Sequence, residues 1–150
     1  MKMTPELAKA QYNMKPGIIS ERGFLGDDSR PLSDIIENDA EIVKHLNLSN
    51  EKISEVLKDF MVRGKKGLGN PVVVDDMWEA TTEEFRGKIP CPFEDGITRK
   101  TNTVVKNLKT GEILEYSELS VHLIEKHGFF QGKESAFRVD PAKFKKVFMV

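Results

Sequence analysis

The sequence predicts an α+β fold: a helical N-terminal half followed by a small antiparallel sheet with one or two packed helices. Two patterns carry that expectation. Apolar residues keep helical spacing from Ile35 to Met61, and the later "TNTVVKNL" and "EILEY" flank a "KTG" turn as the arms of a β-hairpin. The chain reads as a single domain over 1–150, with an N-terminal arm (1–32), a helix pair (33–63) and a sheet-containing part (71–150).

In the arm, Leu7, Ile18, Ile19, Phe24 and Leu25 are punctuated by Pro5, Pro16, Gly17, Gly23, Gly26 and Pro31. A short helix fits residues 5–13, and the remainder reads as a loop laid over the body. Arg30 in "GDDSRPL" is placed to fold back onto Asp27 or Asp28. Ser33 follows Pro31 as a helix cap. Ile35, Ile36, Ala40, Val43 and Leu46 then form one apolar stripe, and Ile53, Val56, Leu57, Phe60 and Met61 form a second, which Gly64 is expected to end.

"VVVDDMW" reads as a strand after the basic, glycine-rich "RGKKGLGNP". Thr82 is placed to cap a short helix over "EEF", and the prolines flanking Cys91 argue against regular structure in "IPCPFEDG". Ser117 caps a helix through His127, with Gly128 at its C′ position. "AFRV" reads as a short strand, and Asp140 with Pro141 opens the last helix.

Composition narrows the function classes. The net charge is −1 and 39% of residues are hydrophobic, which excludes a wholly disordered or generally cationic chain. The charge is unevenly spread: three bases against seven acids give −4 over 33–62, and two against seven give −5 over 75–97. Ten bases against six acids give +4 over 98–150. One cysteine, Cys91, excludes both an intramolecular disulfide and a zinc site built on thiolates. No run approaches the roughly 20 apolar residues of a membrane span, so no membrane partner and a cytoplasmic location are expected.

The stretch "EIVKHLNLSNEKISEVLKDF" (41–60) resembles, in its spacing, the helix-turn-helix of bacterial transcription regulators. Ile42 and Leu46 anchor a first helix, Asn47 takes the turn position usually held by glycine, and Ile53 and Leu57 hold the second helix. The resemblance covers these 20 or so residues only and implies DNA reading from the second helix. The nucleic-acid-binding residues would be Asn50, Lys52 and Ser54, with Arg63, Lys65 and Lys66 as a basic wing. Glu51, Glu55 and Asp59 on the same helix oppose a phosphate surface.

For metal chemistry, His122 and His127 fall about 140° apart around a helix and are not expected to converge on one ion. No metal, cofactor or catalytic residue is assigned. Cys91 lacks an activating neighbour in sequence and is expected to be structural or incidental. The function these features favour is a non-catalytic interaction module, binding a protein or nucleic acid through the 33–66 helix pair and basic loop. The alternative is a small cytoplasmic enzyme whose residues, drawn from Cys91, the aspartates and the histidines, converge only in three dimensions.

Overall fold

A computed structural model describes residues 1–150 and contains five helices and one sheet. In chain order these are α1 (Pro5–Asn13), α2 (Leu32–His45), α3 (Asn50–Lys65), β1 (Val72–Val74), β2 (Trp78–Pro90), β3 (Ile97–Asn107), β4 (Ile113–Ser117), α4 (Glu118–His127) and α5 (Pro141–Phe148). The fold is α+β, with helices in both halves of the chain. No helix is long and apolar enough to cross a membrane.

The sheet is antiparallel throughout, in the order β1-β2-β3-β4. Side chains alternate between its faces. Ala80 and Thr82 of β2, Thr101, Thr103 and Val105 of β3, and Leu114 and Tyr116 of β4 point inward and are buried. Against this face α3 and α5 lay Ile53, Leu57, Phe60, Phe144 and Phe148, which form the main core. A second cluster joins Ala10, Met14 and Phe24 of the arm to Leu32 and Ile35 of α2, Leu119 and Leu123 of α4, and Cys91.

The strand region departs from expectation at four points. "VVVDDMW" is split by the left-handed turn residues Asp75 and Asp76, and β2 carries Ile89 and Pro90 of "IPCPFEDG" in its ladder. Two further segments change state. "EEF" is not helical: β2 runs straight through it, because Phe85 and Glu84 find ladder partners in Lys100 and Thr101. A bulge interrupts that ladder between Phe85 and Lys88, with Gly87 at φ +97°. "AFRV" is not a strand either. Arg138 is drawn out of any ladder by its bidentate pairing, at 2.9 Å on each nitrogen, with the buried Asp39 of α2.

The helix ends also differ. Helix α2 begins at Leu32 with Pro31 as its N-cap and no side-chain cap bond, so Ser33 is inside the helix and buried. Helix α3 passes Gly64 and ends at Lys65, since Gly64 serves close packing on β2 rather than termination. The expected caps at Ser49, Ser117 and Asp140 are present. Asn47 adopts the left-handed conformation, and Arg30 folds onto Asp28 at 2.6 Å.

Candidate metal centre

The β2–β3 connection is a tight turn built on its own backbone. The Cys91 N–H donates to the Gly96 carbonyl, and the Glu94 N–H donates back to the Cys91 carbonyl, each at 2.9 Å. The prolines on either side of Cys91 hold extended backbone into that turn, so the thiol points inward and the Asp95 carboxylate faces α4. Asn13 of α1 clamps the outside of the turn, donating to the Pro92 carbonyl at 2.9 Å and to Glu94 at 3.0 Å.

Helix α4 supplies the opposite wall. It starts in a capping box between Ser117 and Ser120 and stops at Gly128, whose φ of +61° is a left-handed C-cap. His122 and His127 thus occupy the middle and the last turn of a short, fixed helix. Both imidazoles reach the same carboxylate: Nε2 of His122 lies 2.9 Å from Oδ1 of Asp95, and Nε2 of His127 lies 2.8 Å from Oδ2. The His127 ring stacks on Phe93, with centroids 3.9 Å apart. One ligand atom from each of Cys91, Asp95, His122 and His127 lies within 4.8 Å of all the others.

This overturns the expectation that the two histidines cannot converge. The angular argument counted Cα directions around the helix. Each imidazole extends well beyond its Cα, and Asp95 comes from a turn that sits over the gap between them. A single cysteine still excludes a site built on several thiolates; the remaining donors of this cluster are nitrogen and oxygen, contributed from elsewhere in the chain.

The electrostatics of the group are mutually adjusted. Burial pushes the Cys91 thiol up to about 12, reinforced by its hydrogen bond to Asp95, so the thiol alone is a poor nucleophile. Burial also acts to raise Asp95, but the hydrogen bonds from Cys91 and His122 and the nearby His127 outweigh it and hold the carboxyl far below its ordinary value. Burial lowers His127 despite the opposing pull of Asp95, which favours a neutral imidazole. The Phe93 N–H lies 3.4 Å from Cys91 Sγ and would stabilise a thiolate there.

Chemically, the group is a mixed S, O, N, N donor set spaced Cys91-x3-Asp95 and His122-x4-His127. Zinc bonds of about 2.0–2.3 Å place tetrahedral donors roughly 3.3–3.8 Å apart. A cluster spanning at most 4.8 Å needs little movement to reach that geometry. The signal was present in the sequence as a histidine pair at the H-x3–5-H spacing of zinc sites. It lacked only the paired cysteines that usually accompany it.

The residues predicted to touch nucleic acid lie elsewhere, along α3 and at its C-cap. Ser54 is buried, its hydroxyl donating to the Glu51 carbonyl, and Asn50 is half-buried beside Gly128. Arg63 pairs with Asp59 and Asp75, and Lys65 with Glu84. Lys52 and Lys66 are exposed and take part in no ion pair. Between α3 and α4 runs a groove lined by Glu51, Glu55, Asp59 and Glu125, with Lys58 and Lys126 beside them. Helix α2 packs chiefly on α1 and α5, whereas α3 packs chiefly on α4 and β2. No family model matches the chain, and searches of curated proteins and of solved structures find nothing similar to it.

Proposed function

We propose that the chain is a non-catalytic interaction module in which one zinc ion, held by Cys91, Asp95, His122 and His127, ties the β2–β3 turn to α4. The observation that carries this reading is the convergence of four ligand atoms, from two separate elements, within 4.8 Å. One thiolate and one carboxylate balance the two charges of the ion, and two neutral imidazoles complete a tetrahedral set. Four protein donors leave no open position for a water or a substrate, which marks a structural rather than a hydrolytic centre.

The surroundings support that role. Cys91 is 1% exposed and belongs to the second core cluster, so the ion would anchor the turn to packed residues rather than to a mobile rim. The buried, high-pKa thiol and the closed donor set also weigh against the enzyme alternative. For the interaction itself, the acidic groove between α3 and α4 makes the 33–66 segment a poor phosphate-binding face.

Metal analysis of the purified chain, followed by replacement with cobalt, tests the centre. The expected result is one zinc per chain, and on cobalt exchange the intense visible bands of a tetrahedral site with a thiolate-to-cobalt transition in the near ultraviolet. Asp95→Asn and His122→Ala should each remove or shift those bands. A wild-type chain that binds no stoichiometric zinc, or cobalt spectra unchanged by both substitutions, would overturn the reading.

A further inference from the structure

Unpaired cations of the β2–β3 hairpin, joined by Arg22 of the arm, gather around its bulge. The molecule has twelve ion pairs, and none of them uses Arg22, Arg86, Lys88, Arg99 or Lys100. All five are exposed. Lys88 stands opposite Arg99, and Phe85 stands opposite Lys100, across the strand pair. Phe85 is itself 52% exposed, the one phenylalanine of the chain so open to solvent.

Two hollows meet at these residues. The first is a cleft of about 340 Å³ between the outer face of the sheet and the 20–24 and 131–137 segments, lined by Arg22, Phe85, Arg99, Lys100, Asn102 and Phe137, among others. Three cations line it against a single acid, Glu21. The second, of about 460 Å³, lies on the other side of Phe85 and is lined by Lys88, Arg99 and Thr101 together with Glu84 and Gly87. Glu84 is already engaged by Lys65. Thr101 is 1% exposed and its hydroxyl has no protein hydrogen-bond partner. Phe85 and Arg99 border both hollows, which open on opposite faces of the β2–β3 ladder. They meet where β2 has no partner strand but β3, so the track passes around that edge and its aromatic ring.

The walls of the track are fixed. The Gly132 N–H donates to the Phe24 carbonyl at 3.0 Å, and the Asp27 N–H donates to the Lys133 carbonyl at 2.9 Å. A Cβ on Gly132 or Gly26 would fall within 2.2 Å of the opposing backbone, so the two segments are in closest contact.

We propose that this track binds single-stranded nucleic acid. A base stacks on Phe85, with Phe137 and the polar Asn102 lining the cleft beside it, while Arg22, Arg99 and Lys100 on one side and Arg86 and Lys88 on the other take successive phosphates. Cations interleaved with an exposed aromatic ring along an extended strand are what single strands require, because their bases are free to stack. A duplex presents no free base face for the half-exposed ring to stack on. The bulge at Arg86 and Gly87 breaks the side-chain alternation locally, and the ladder resumes beyond it with Lys88 opposite Arg99.

Anisotropy titrations of labelled oligothymidylate and oligouridylate against the full chain, over a series of salt concentrations, test the proposal. Wild type should bind both, more tightly than a duplex of equal length, with affinity falling as salt rises. Phe85→Ala should weaken binding roughly five- to hundredfold, the loss of one stacked base. Arg99→Ala with Lys100→Ala should weaken it and flatten the salt dependence by about 0.7 in slope per lost phosphate contact. All three positions are exposed and outside the metal cluster, so zinc content and thermal midpoint should stay at wild-type values; a failed centre and a failed track are thereby distinguished. Absence of wild-type binding at low salt, binding indifferent to all these substitutions, or equal affinity for duplex would each overturn the proposal. Equal affinity for a mononucleotide would overturn it too, and would assign the cleft to a small ligand.

Discussion

Asp28 shows how a single side chain organises the arm. Its side chain is 2% exposed and accepts from Nε and Nη2 of Arg30 and from the Lys133 N–H, so one carboxylate joins the arm to the segment opposite. The Arg30 hydrogen bonds outweigh burial and hold its pKa down to about 2. A depressed carboxylate stabilises the fold above its unfolded value near 3.8 and loses that contribution as pH falls through about 2. Asp28→Asn should therefore cost about 2 kcal/mol at neutral pH. The difference from wild type should shrink below about pH 4 and vanish under pH 2. Urea midpoints across that range check it, and a difference independent of pH would mean that Asp28 acts through shape alone. The Arg30 partner was legible in the sequence because it lies two residues away. The Lys133 contact was not, since nothing local relates position 28 to position 133.

Among the elements, those set by neighbours in sequence came through and those set by distant partners did not. Ser49, Ser117 and Asp140 cap their helices by reaching three residues ahead, and Gly111 turns the β3–β4 hairpin at φ +80°. By contrast "EEF" has no strong local preference, and β3 decides its state by offering a ladder. Gly64 is the clearest case of a residue read correctly as special and wrongly as a stop. A Cβ there would lie 2.3 Å from Oγ1 of Thr82, a hydroxyl already committed at 3.0 Å to the Met61 carbonyl and to Thr103. Replacing glycine by alanine inside a helix ordinarily stabilises by about 0.8–1 kcal/mol. Here the overpacking against buried strand atoms, typically about 1–3 kcal/mol, should win, so Gly64→Ala is expected to lower stability. Chemical denaturation of the variant decides the sign, and a gain in midpoint would show that α3 can lift off β2 without loss.

At the scale of the whole molecule, the four ligands lie beside the second core, which already packs the β2–β3 turn on α4, and outside the main one. The main cluster contains none of the four ligands, while Cys91 sits in the second cluster with residues of α1, α2 and α4. The sequence hid this arrangement because its donors are spread over 37 positions, from Cys91 to His127, and only the histidines share an element. That division predicts a graded response to zinc removal. A chain with 17 buried residues in a ligand-free core should stay folded when the ion is chelated, unlike minimal zinc fingers, which unfold. Zinc at a thousandfold excess over its dissociation constant would contribute about 4 kcal/mol. At roughly 2–4 °C per kcal/mol for a chain of this size, chelation should lower Tm by about 8–16 °C. Cys91→Ser should start from the lowered value and show no further fall with chelator. Amide exchange should locate the loss: the Cys91 and Glu94 N–H groups and the last turn of α4 gain exchange, while Leu57, Val105 and Phe144 keep their protection. Chelation that unfolds the main core as well would make the ion the organising centre of the entire fold. Chelation that moves neither Tm nor these amides would remove the structural role assigned to the cluster.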